Sequence, residues 1–263
     1  MDNLLFTAIR ASIEAGKEIM KVYNNFSKSD VTIKNDNSPL TKADIVSNNK
    51  IKEILFKTNI SILSEEEDQI SYDVRKKWQK LWIIDPLDGT KEFIKKNDEF
   101  TVNIALVKNS KPILGVIFLP VSKLLYFSSK EIGSYKILIK RDLSTLNDLI
   151  YNSKKLPIKT LRNDFTIVVS RSHLSKETLE YIESVKLNQK NIKMLEKGSS
   201  LKICMVAEGK ADVYPRFGPT MEWDTAAGQA ICENAGFSLK DIETSNPIVY
   251  NRKNLRNNSF IVE

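Results

Sequence analysis

Residues 81–93 have the sequence Leu81-Trp82-Ile83-Ile84-Asp85-Pro86-Leu87-Asp88-Gly89-Thr90-Lys91-Glu92-Phe93. An apolar, β-favouring run leads into two aspartates, and a glycine and a hydroxyl residue follow directly. Because Pro86 fixes its own φ and keeps the preceding residue extended, we expect Asp85 at the end of a strand and Asp88 in a turn. Two carboxylates held this close repel each other unless a proton or a cation separates them, and oxygen ligands favour Mg²⁺.

Gly89 and Thr90 stand where we expect a helix to begin, and the free N–H groups of a helix start can bind an anion. The stretch therefore indicates a site for a metal ion and a phosphate group. The pentapeptide from Asp85 to Gly89 is also typical of an ordinary surface β-turn, so the rest of the chain has to decide.

Composition limits the chemistry that this chain can perform. Its 263 residues, 41% hydrophobic and 28% charged, are typical of a globular protein with one large domain or two small ones. Cys204 and Cys232 lie far apart in helix-like segments, which favours free buried thiols over a disulfide. A single histidine, His173, excludes a His-rich zinc site. Carboxylates and hydroxyls must carry any catalysis.

The net charge of +7 suits an anionic ligand. Basic and acidic residues alternate along the chain, so we do not expect nucleic-acid binding. We find neither a signal-peptide pattern nor an apolar run that could span a bilayer, and we expect a cytoplasmic protein. Peripheral association of the basic surface with the inner membrane stays open.

Strands alternate with helices, which predicts an α/β (α+β) fold. Helices are predicted at 2–23, 42–57, 176–186, 199–207 and 224–235. Strands are predicted at 31–34, 60–63, 81–84, 100–107, 113–119, 124–127, 135–139, 165–170, 192–195, 212–214, 237–239, 248–250 and 260–262. The polar residues 140–163 divide the chain into an N-terminal half, 1–140, with the main metal site and a C-terminal half, 141–263, that completes one catalytic unit.

Further acidic residues lie at the ends of predicted elements. Asp44 follows Thr41 in a capping-box pattern, Glu65 opens an acidic run of four after a strand, and Asp224 lies in the first turn of a helix. Helix caps and a solvated loop explain them equally well, but two neighbouring strand ends would bring the acids together at one sheet edge.

Several segments together are similar to known families. Trp82 to Thr90 and Trp223-Asp224-Thr225-Ala226-Ala227-Gly228 resemble the two signatures of the Mg²⁺-dependent, lithium-sensitive inositol monophosphatase superfamily. The finer likeness is to the CysQ-type 3'(2'),5'-bisphosphate nucleotidases. It rests on the segments Lys91 to Leu106, Ser170-Arg171-Ser172-His173, Gly198-Ser199-Ser200-Leu201-Lys202 and Tyr214 to Thr220.

This resemblance implies a layered α/β/α/β/α sandwich of the inositol monophosphatase and fructose-1,6-bisphosphatase type. It also implies two or three Mg²⁺ ions per active site. The implied metal ligands are Glu65, Asp85, the carbonyl of Leu87, Asp88 and Asp224. The implied catalytic residues are Asp44, Thr90 and Glu65. The residues implied to contact substrate are Gly89, Thr90, Ser199, Lys202, Arg216, Asp224 and His173.

The implied reaction is hydrolysis of the 3'-phosphate of adenosine 3',5'-bisphosphate to AMP, and of its sulfated analogue, in sulfur assimilation or nucleotide recycling. A metal-activated water would attack in line, and the enzyme would be a monomer or a homodimer. The alternative on the same scaffold is an inositol or sugar monophosphatase, which Lys91-Glu92-Phe93 disfavours because those enzymes tend towards Thr-Asn-Phe there. A non-catalytic protein that binds anions or nucleic acid is the remaining alternative.

Overall fold

We describe a computed structural model that covers residues 2–27, 31–33, 39–68, 70–141, 145–159, 161–171 and 175–263. Its α-helices are α1 (Asp2–Asn24), α2 (Lys42–Leu55), α3 (Tyr72–Arg75), α4 (Thr90–Ile94), α5 (Leu146–Tyr151), α6 (Lys176–Lys186), α7 (Leu201–Ala207) and α8 (Glu222–Asn234). Its strands are β1 (Val31–Ile33), β2 (Pro39–Thr41), β3 (Ser61–Ser64), β4 (Lys80–Asp88), β5 (Thr101–Lys108), β6 (Lys111–Leu119), β7 (Leu124–Ser129), β8 (Gly133–Leu138), β9 (Lys154–Lys155), β10 (Phe165–Ser170), β11 (Ile192–Lys197), β12 (Tyr214–Arg216), β13 (Leu239–Asp241) and β14 (Phe260–Val262).

The larger sheet has seven strands in the order β3-β4-β5-β6-β7-β8-β9. The antiparallel meander expected from β5 to β8 is confirmed. By contrast, β3 and β4 run parallel, so both strands end at the same edge of the sheet. There the N–H of Glu65 donates to the carbonyl of Ile84 at 3.3 Å, which places the acidic run beside the end of β4.

The second sheet is mixed. Parallel strands β10 and β11 form one part, and the antiparallel order β12-β14-β13 forms the other. A parallel bridge between Ile167 and Val213 joins the two parts.

Residues of β4 alternate between two hydrophobic cores, because successive side chains of a strand point to opposite faces. Trp82 and Ile84 pack in the core that holds α1 and α2, whereas Ile83 packs in the core that holds α7 and α8. The second core also takes Tyr214 and Phe260 from the second sheet. Helix α6 covers the opposite face of that sheet, where Ile182 packs with Ile167, Val169 and Val213. The layers are therefore α/β/α/β/α, as expected.

Gly115 on β6 allows α8 to lie against the larger sheet. A Cβ atom added at Gly115 would lie 2.2 Å from the carbonyl oxygen of Ala227, so a side chain there would force the helix away. This close approach matters because α8 carries Asp224 in its first turn.

Some sequence-based expectations were wrong. The apolar residues 248–250 form no strand; Tyr250 is buried, and its hydroxyl donates to Gln229 Oε1 on α8 at 2.7 Å. No element was predicted within residues 140–163, but the described part of this segment contains α5 and β9. Strand β12 begins at Tyr214 instead of residue 212. The division into halves at residue 140 stays a prediction.

The expected free thiols are confirmed, since Cys204 and Cys232 are both buried and unbridged. Among the helices of the described residues, none combines the length and apolar character that a bilayer span requires.

Candidate active site

A β-bulge places the two central aspartates on the same face of β4. Asp85 lies opposite Asn103, and Asp88 lies opposite Thr101. Between these two pairs β4 has two residues, Pro86 and Leu87, whereas β5 has only one, Val102. In a regular strand, side chains three residues apart point to opposite faces; one extra residue restores them to the same face. The expectation that β4 ends at Asp85 and that a turn follows was wrong. Proline lacks an N–H group, and within sheets it is tolerated at such bulges.

Three acidic residues from different elements meet at this edge. Carboxylate oxygens of Glu65, Asp85 and Asp224 all lie within 4.8 Å of one another. Glu65 follows β3, Asp85 lies on β4, and Asp224 lies in the first turn of α8, where it also accepts a hydrogen bond of 2.7 Å from the N–H of Met221. Asp224 is therefore a helix cap and a member of the acidic cluster at once.

Without a cation, the close approach of these buried carboxylates is electrostatically unfavourable. Burial raises the pKa of Asp85 well above its ordinary value, and the nearby charges of Glu65, Asp88 and Asp224 raise it further. Burial and the charge of Asp88 likewise raise the pKa of Asp224 to about 7. Buried carboxylates that repel one another are stabilised by a bound cation.

The donor set fits a hard divalent cation. Asp85 Oδ1 accepts a hydrogen bond of 3.1 Å from the N–H of Leu87. Asp85 Oδ2, in contrast, is buried and has no hydrogen-bond partner among the described residues. A buried carboxylate oxygen without a donor, beside two further carboxylates, is what an oxygen-ligated Mg²⁺ would satisfy.

Asp88 differs from the other predicted ligands because it lies outside this tight cluster. Its Oδ2 accepts hydrogen bonds from Ser199 Oγ at 2.7 Å and from the N–H of Ser200 at 2.6 Å. It lines the same cleft as Glu65 and Asp224. Three of the predicted ligands, Glu65, Asp88 and Asp224, thus line one cleft, and one oxygen of Asp88 is held by the loop before α7.

Asp44 lies at the start of α2 and faces the cluster. Its Oδ2 accepts hydrogen bonds from the N–H of Thr41 at 2.7 Å and from the Thr41 hydroxyl at 2.6 Å, which confirms the capping box. Its Oδ1 accepts a hydrogen bond of 3.2 Å from the hydroxyl of Thr90. The Thr90 hydroxyl also lies 3.4 Å from the carbonyl oxygen of Leu87. Asp44 and Thr90 therefore form a hydrogen-bonded pair beside the carboxylates.

Gly89 makes the turn into α4 with a φ of 95°, in the region that favours glycine. Both Gly89 and Thr90 line the cleft. The segment Asp88-Gly89-Thr90 thus lies on the cleft wall, and its contact with a phosphate group stays a prediction.

Two buried cations, Lys202 and Arg216, also line the cleft. Lys202 is 5% exposed, donates to the carbonyl of Ser199 at 2.6 Å and lies over the ring of Tyr214. Burial lowers the pKa of Lys202 to about 8. Arg216 is 8% exposed; its Nη2 donates to the carbonyl of Pro219 at 3.0 Å, while its buried Nε has no partner among the described residues. Both cations line the cleft that the acids line.

Helix α7 begins two residues later than predicted. Ser199 adopts a φ of 54°, and α7 begins at Leu201 instead of residue 199. The N–H of Ser200 donates to Asp88 Oδ2. His173, the remaining predicted substrate contact, lies outside the described residues.

Sequence analysis missed three residues around this loop. Thr101 and Asn103 contact Ser200 and are fully or almost fully buried. Glu99 accepts hydrogen bonds from Lys197 Nζ and from the N–H of Gly198, both at 2.8 Å. Burial raises the pKa of Glu99, but these donors outweigh burial and the net shift is downward. Alternating polar residues in the otherwise apolar strand β5 were the only local signal for Thr101 and Asn103.

Comparisons with known proteins identify the family and the fold of this chain. The family model described as the inositol monophosphatase family matches residues 1–262. The 3'(2'),5'-bisphosphate nucleotidase CysQ of Shigella flexneri is 43% identical over 235 residues, which cover 86% of each chain. The crystal structure of CysQ from Bacteroides thetaiotaomicron, a bacterial member of the same family, has 47% identity and a TM-score of 0.92, and the match covers 100% of this chain and 97% of that one.

A more distant likeness concerns the fold alone. The inositol monophosphatase TM1415 of Thermotoga maritima is 22% identical, with a TM-score of 0.76 over 100% of this chain and 92% of that one. Because the family model spans almost the whole chain and the first two relatives are more than 40% identical, this protein belongs to the inositol monophosphatase family.

Proposed function

We propose that this protein is a Mg²⁺-dependent phosphatase that hydrolyses the 3'-phosphate of adenosine 3',5'-bisphosphate, and also that of its sulfated analogue. The observation that carries the proposal is a cleft lined both by acids of the carboxylate cluster and by two buried cations, Lys202 and Arg216. A monophosphate needs only the metal side of such a cleft. A bisphosphate gives the cations a second anionic group to bind.

The relatives support the same substrate class. The Shigella flexneri protein and the Bacteroides thetaiotaomicron protein both carry the name CysQ, and the first is named as a 3'(2'),5'-bisphosphate nucleotidase. Their identities to this chain are far above that of the Thermotoga maritima inositol monophosphatase. We therefore prefer the nucleotide to inositol phosphate.

The carboxylates of Glu65, Asp85, Asp88 and Asp224, with the carbonyl of Leu87, would hold the Mg²⁺ ions, two or three per site. Magnesium held there would supply charge neutralisation for a phosphate group and would make a water molecule more acidic. The buried Asp85 Oδ2 is the clearest candidate ligand atom among the described residues, because it has no hydrogen-bond partner there.

Asp44 and Thr90 would hold the attacking water. The Thr90 hydroxyl donates a hydrogen bond to Asp44 Oδ1, so the Thr90 oxygen can accept a hydrogen bond from a water molecule. Asp44 is 1% exposed and fixed by its helix cap, so this acceptor does not need to reorganise during the reaction. Attack forms a bond from the water oxygen to phosphorus and breaks the bond from phosphorus to the 3'-oxygen.

Gly89 and Thr90 would contact the phosphate that is cleaved. Lys202 and Arg216, with Ser199, would contact the remainder of the nucleotide. Burial makes this contact favourable because the two cations have already lost most of their hydration, and an anion satisfies them in return.

The test is phosphate release from adenosine 3',5'-bisphosphate and from inositol 1-phosphate, measured side by side with Mg²⁺, without Mg²⁺, and with added Li⁺. We expect a strong preference for the nucleotide, no release without Mg²⁺ and inhibition by Li⁺. Preference for inositol phosphate would agree with the proposed metal site but would contradict the proposed nucleotide substrate. No release from either compound would favour a non-catalytic anion-binding protein.

A further inference from the structure

The side chain of Thr101 joins the two halves of the chain behind the cleft. Thr101 opens β5 and is fully buried. Its Oγ1 lies 2.6 Å from Ser199 Oγ, 2.9 Å from Ser200 Oγ and 2.8 Å from Asn103 Oδ1. A hydroxyl has a single proton, and Ser199 Oγ gives its own to Asp88, so Thr101 donates to Ser199 Oγ while Ser200 Oγ donates to Asn103 Oδ1. The two serines are 98 and 99 residues away in sequence, in the loop before α7. A single hydroxyl thus holds a loop from the other half of the molecule.

That loop in turn holds Asp88. Ser199 Oγ and the N–H of Ser200 donate to Asp88 Oδ2 at 2.7 and 2.6 Å, and Asn103 Nδ2 lies 3.4 Å from the same oxygen. Thr101 is also the residue directly opposite Asp88 in the pairing of β4 with β5. Three donors on one carboxylate oxygen restrict the side chain to one rotamer, so a cation would be bound through the other oxygen, Oδ1.

We propose that Thr101 is a positioning residue for the metal site. Through Ser199 and Ser200 it holds Oδ2 of Asp88, so that Oδ1 is the oxygen that would bind a cation. The proposal rests on the proposed function only in taking Asp88 as a metal ligand. Thr101 itself is not among the residues that line the cleft.

Such groups behind a metal ligand orient it, and their loss typically costs about 10- to 100-fold in metal affinity. The competing explanation is a purely structural one, in which Thr101 is a satisfied buried hydroxyl that stabilises the fold. The two explanations differ in one respect. A structural role lowers stability without changing metal affinity, whereas a positioning role changes metal affinity in the folded protein.

The experiment compares Thr101→Val with Thr101→Ser. Valine has the shape of threonine without the hydroxyl group, and serine keeps the hydroxyl group while losing the methyl group. Mn²⁺ binding to the resting protein is measured by electron paramagnetic resonance without substrate, and thermal unfolding is recorded in parallel. We expect Thr101→Val to weaken Mn²⁺ binding by about 10-fold or more and Thr101→Ser to stay within about 3-fold of the original protein.

Ile104→Val is the matched control, because it removes one buried methylene from the same strand and touches none of these polar groups. It should lower the unfolding temperature slightly and leave Mn²⁺ binding unchanged. Equal losses in Thr101→Val and Thr101→Ser, or unchanged binding in Thr101→Val, would overturn the proposal.

If Thr101→Val does not fold, Ser200→Ala replaces it. This variant removes the Ser200 hydroxyl group from Thr101 and Asn103 but keeps the N–H that donates to Asp88. We expect it to weaken Mn²⁺ binding several-fold, and unchanged binding would overturn the proposal. The assay needs no substrate, so failure of the nucleotidase proposal would show in phosphate release while the Thr101 comparison still decides the positioning role.

Discussion

The hydroxyl of Thr90 donates a hydrogen bond of 3.2 Å to Oδ1 of Asp44, while Oδ2 of the same carboxylate caps α2 through Thr41. Asp44→Asn keeps the shape of the side chain but removes its charge. We expect kcat for the nucleotide to fall by about 10²- to 10⁴-fold, because the group that orients the water is lost, with KM little changed. Steady-state phosphate release checks this.

The cap contribution of Asp44 needs its own control. Weakening a helix cap costs about 1 kcal/mol. Thr145→Ala removes the N-cap of α5, whose hydroxyl accepts a hydrogen bond of 3.1 Å from the N–H of Asp148, and α5 contributes no residue to the cleft. It should lose similar stability and keep full activity. A similar loss of activity in both variants would assign the effect of Asp44→Asn to folding.

Asp85→Asn removes the carboxylate whose oxygen is buried and unsatisfied. We expect turnover to fall by orders of magnitude, since a cation ligand is lost, while the protein stays folded. The metal-free variant should be at least as stable as the original protein, because the replaced group is a buried carboxylate beside Glu65, Asp88 and Asp224.

Metal-dependent stabilisation gives a readout for Asp85→Asn that is independent of turnover. A ligand at 100 times its Kd stabilises the folded state by about 2.7 kcal/mol. Mg²⁺ should therefore raise the unfolding temperature of the original protein after chelation and should have much less effect on the variant. Near-normal turnover, or an equal Mg²⁺ effect on both proteins, would contradict the assigned role of Asp85.

Features that depend on neighbouring residues could be predicted from the sequence, whereas contacts between distant segments could not. Asp44 and Asp224 were predicted as helix-end acids, and each caps its helix with one carboxylate oxygen. Their roles as site acids stay predictions. The acids after β3 and β4 also indicated that two strand ends meet at one edge, and these strands pair in parallel. A local signal, a capping residue or an acid after a strand, was sufficient for each of these features.

Non-local features were not predictable in the same way. The bulge after Asp85 depends on how β4 pairs with Asn103 and Thr101, and Pro86 alone indicates a strand end equally well. The hydrogen bond from Ser199 to Asp88 crosses 111 residues. A local pattern at Ser199 indicates only a helix start, so the use of this loop to hold Asp88 becomes visible only in the folded chain.

Arg216 should separate bisphosphate from monophosphate substrates. Its buried guanidinium has an unsatisfied Nε in the described structure and lines the cleft. A charge-assisted hydrogen bond contributes about 1.5–3 kcal/mol, so Arg216→Ala should lower kcat/KM for adenosine 3',5'-bisphosphate by about 10- to 100-fold. Hydrolysis of adenosine 3'-monophosphate, which lacks the second phosphate, should change little. An equal loss on both substrates would contradict a role in binding the 5'-phosphate.

Glu208 should make folding stability depend on pH. It is 3% exposed, accepts a hydrogen bond of 2.8 Å from the hydroxyl of Tyr126 and contacts Lys136 and Lys210. Burial raises the pKa of Glu208, but the Lys136 contact and the other hydrogen bonds lower it by more, so the pKa of Glu208 lies below its ordinary value of 4.5. A carboxylate with a lowered folded-state pKa stabilises the fold above its unfolded-state pKa and loses this contribution as the pH falls through its folded-state pKa.

We therefore expect Glu208→Gln to lower the free energy of unfolding at pH 7 by about 2 kcal/mol, because Lys136 and the Tyr126 hydroxyl lose a charged acceptor. The difference from the original protein should shrink as the pH falls below 4.5, where the unfolded-state carboxyl is already protonated. Urea unfolding at several pH values measures this difference in the free energy of unfolding.

The exposed Glu53, paired with Lys50 at 2.5 Å, is the matched control, and Glu53→Gln should have little effect at any pH because solvent screens that pair. A constant difference across the pH range would mean that Glu208 stabilises the protein by packing and not by its charge.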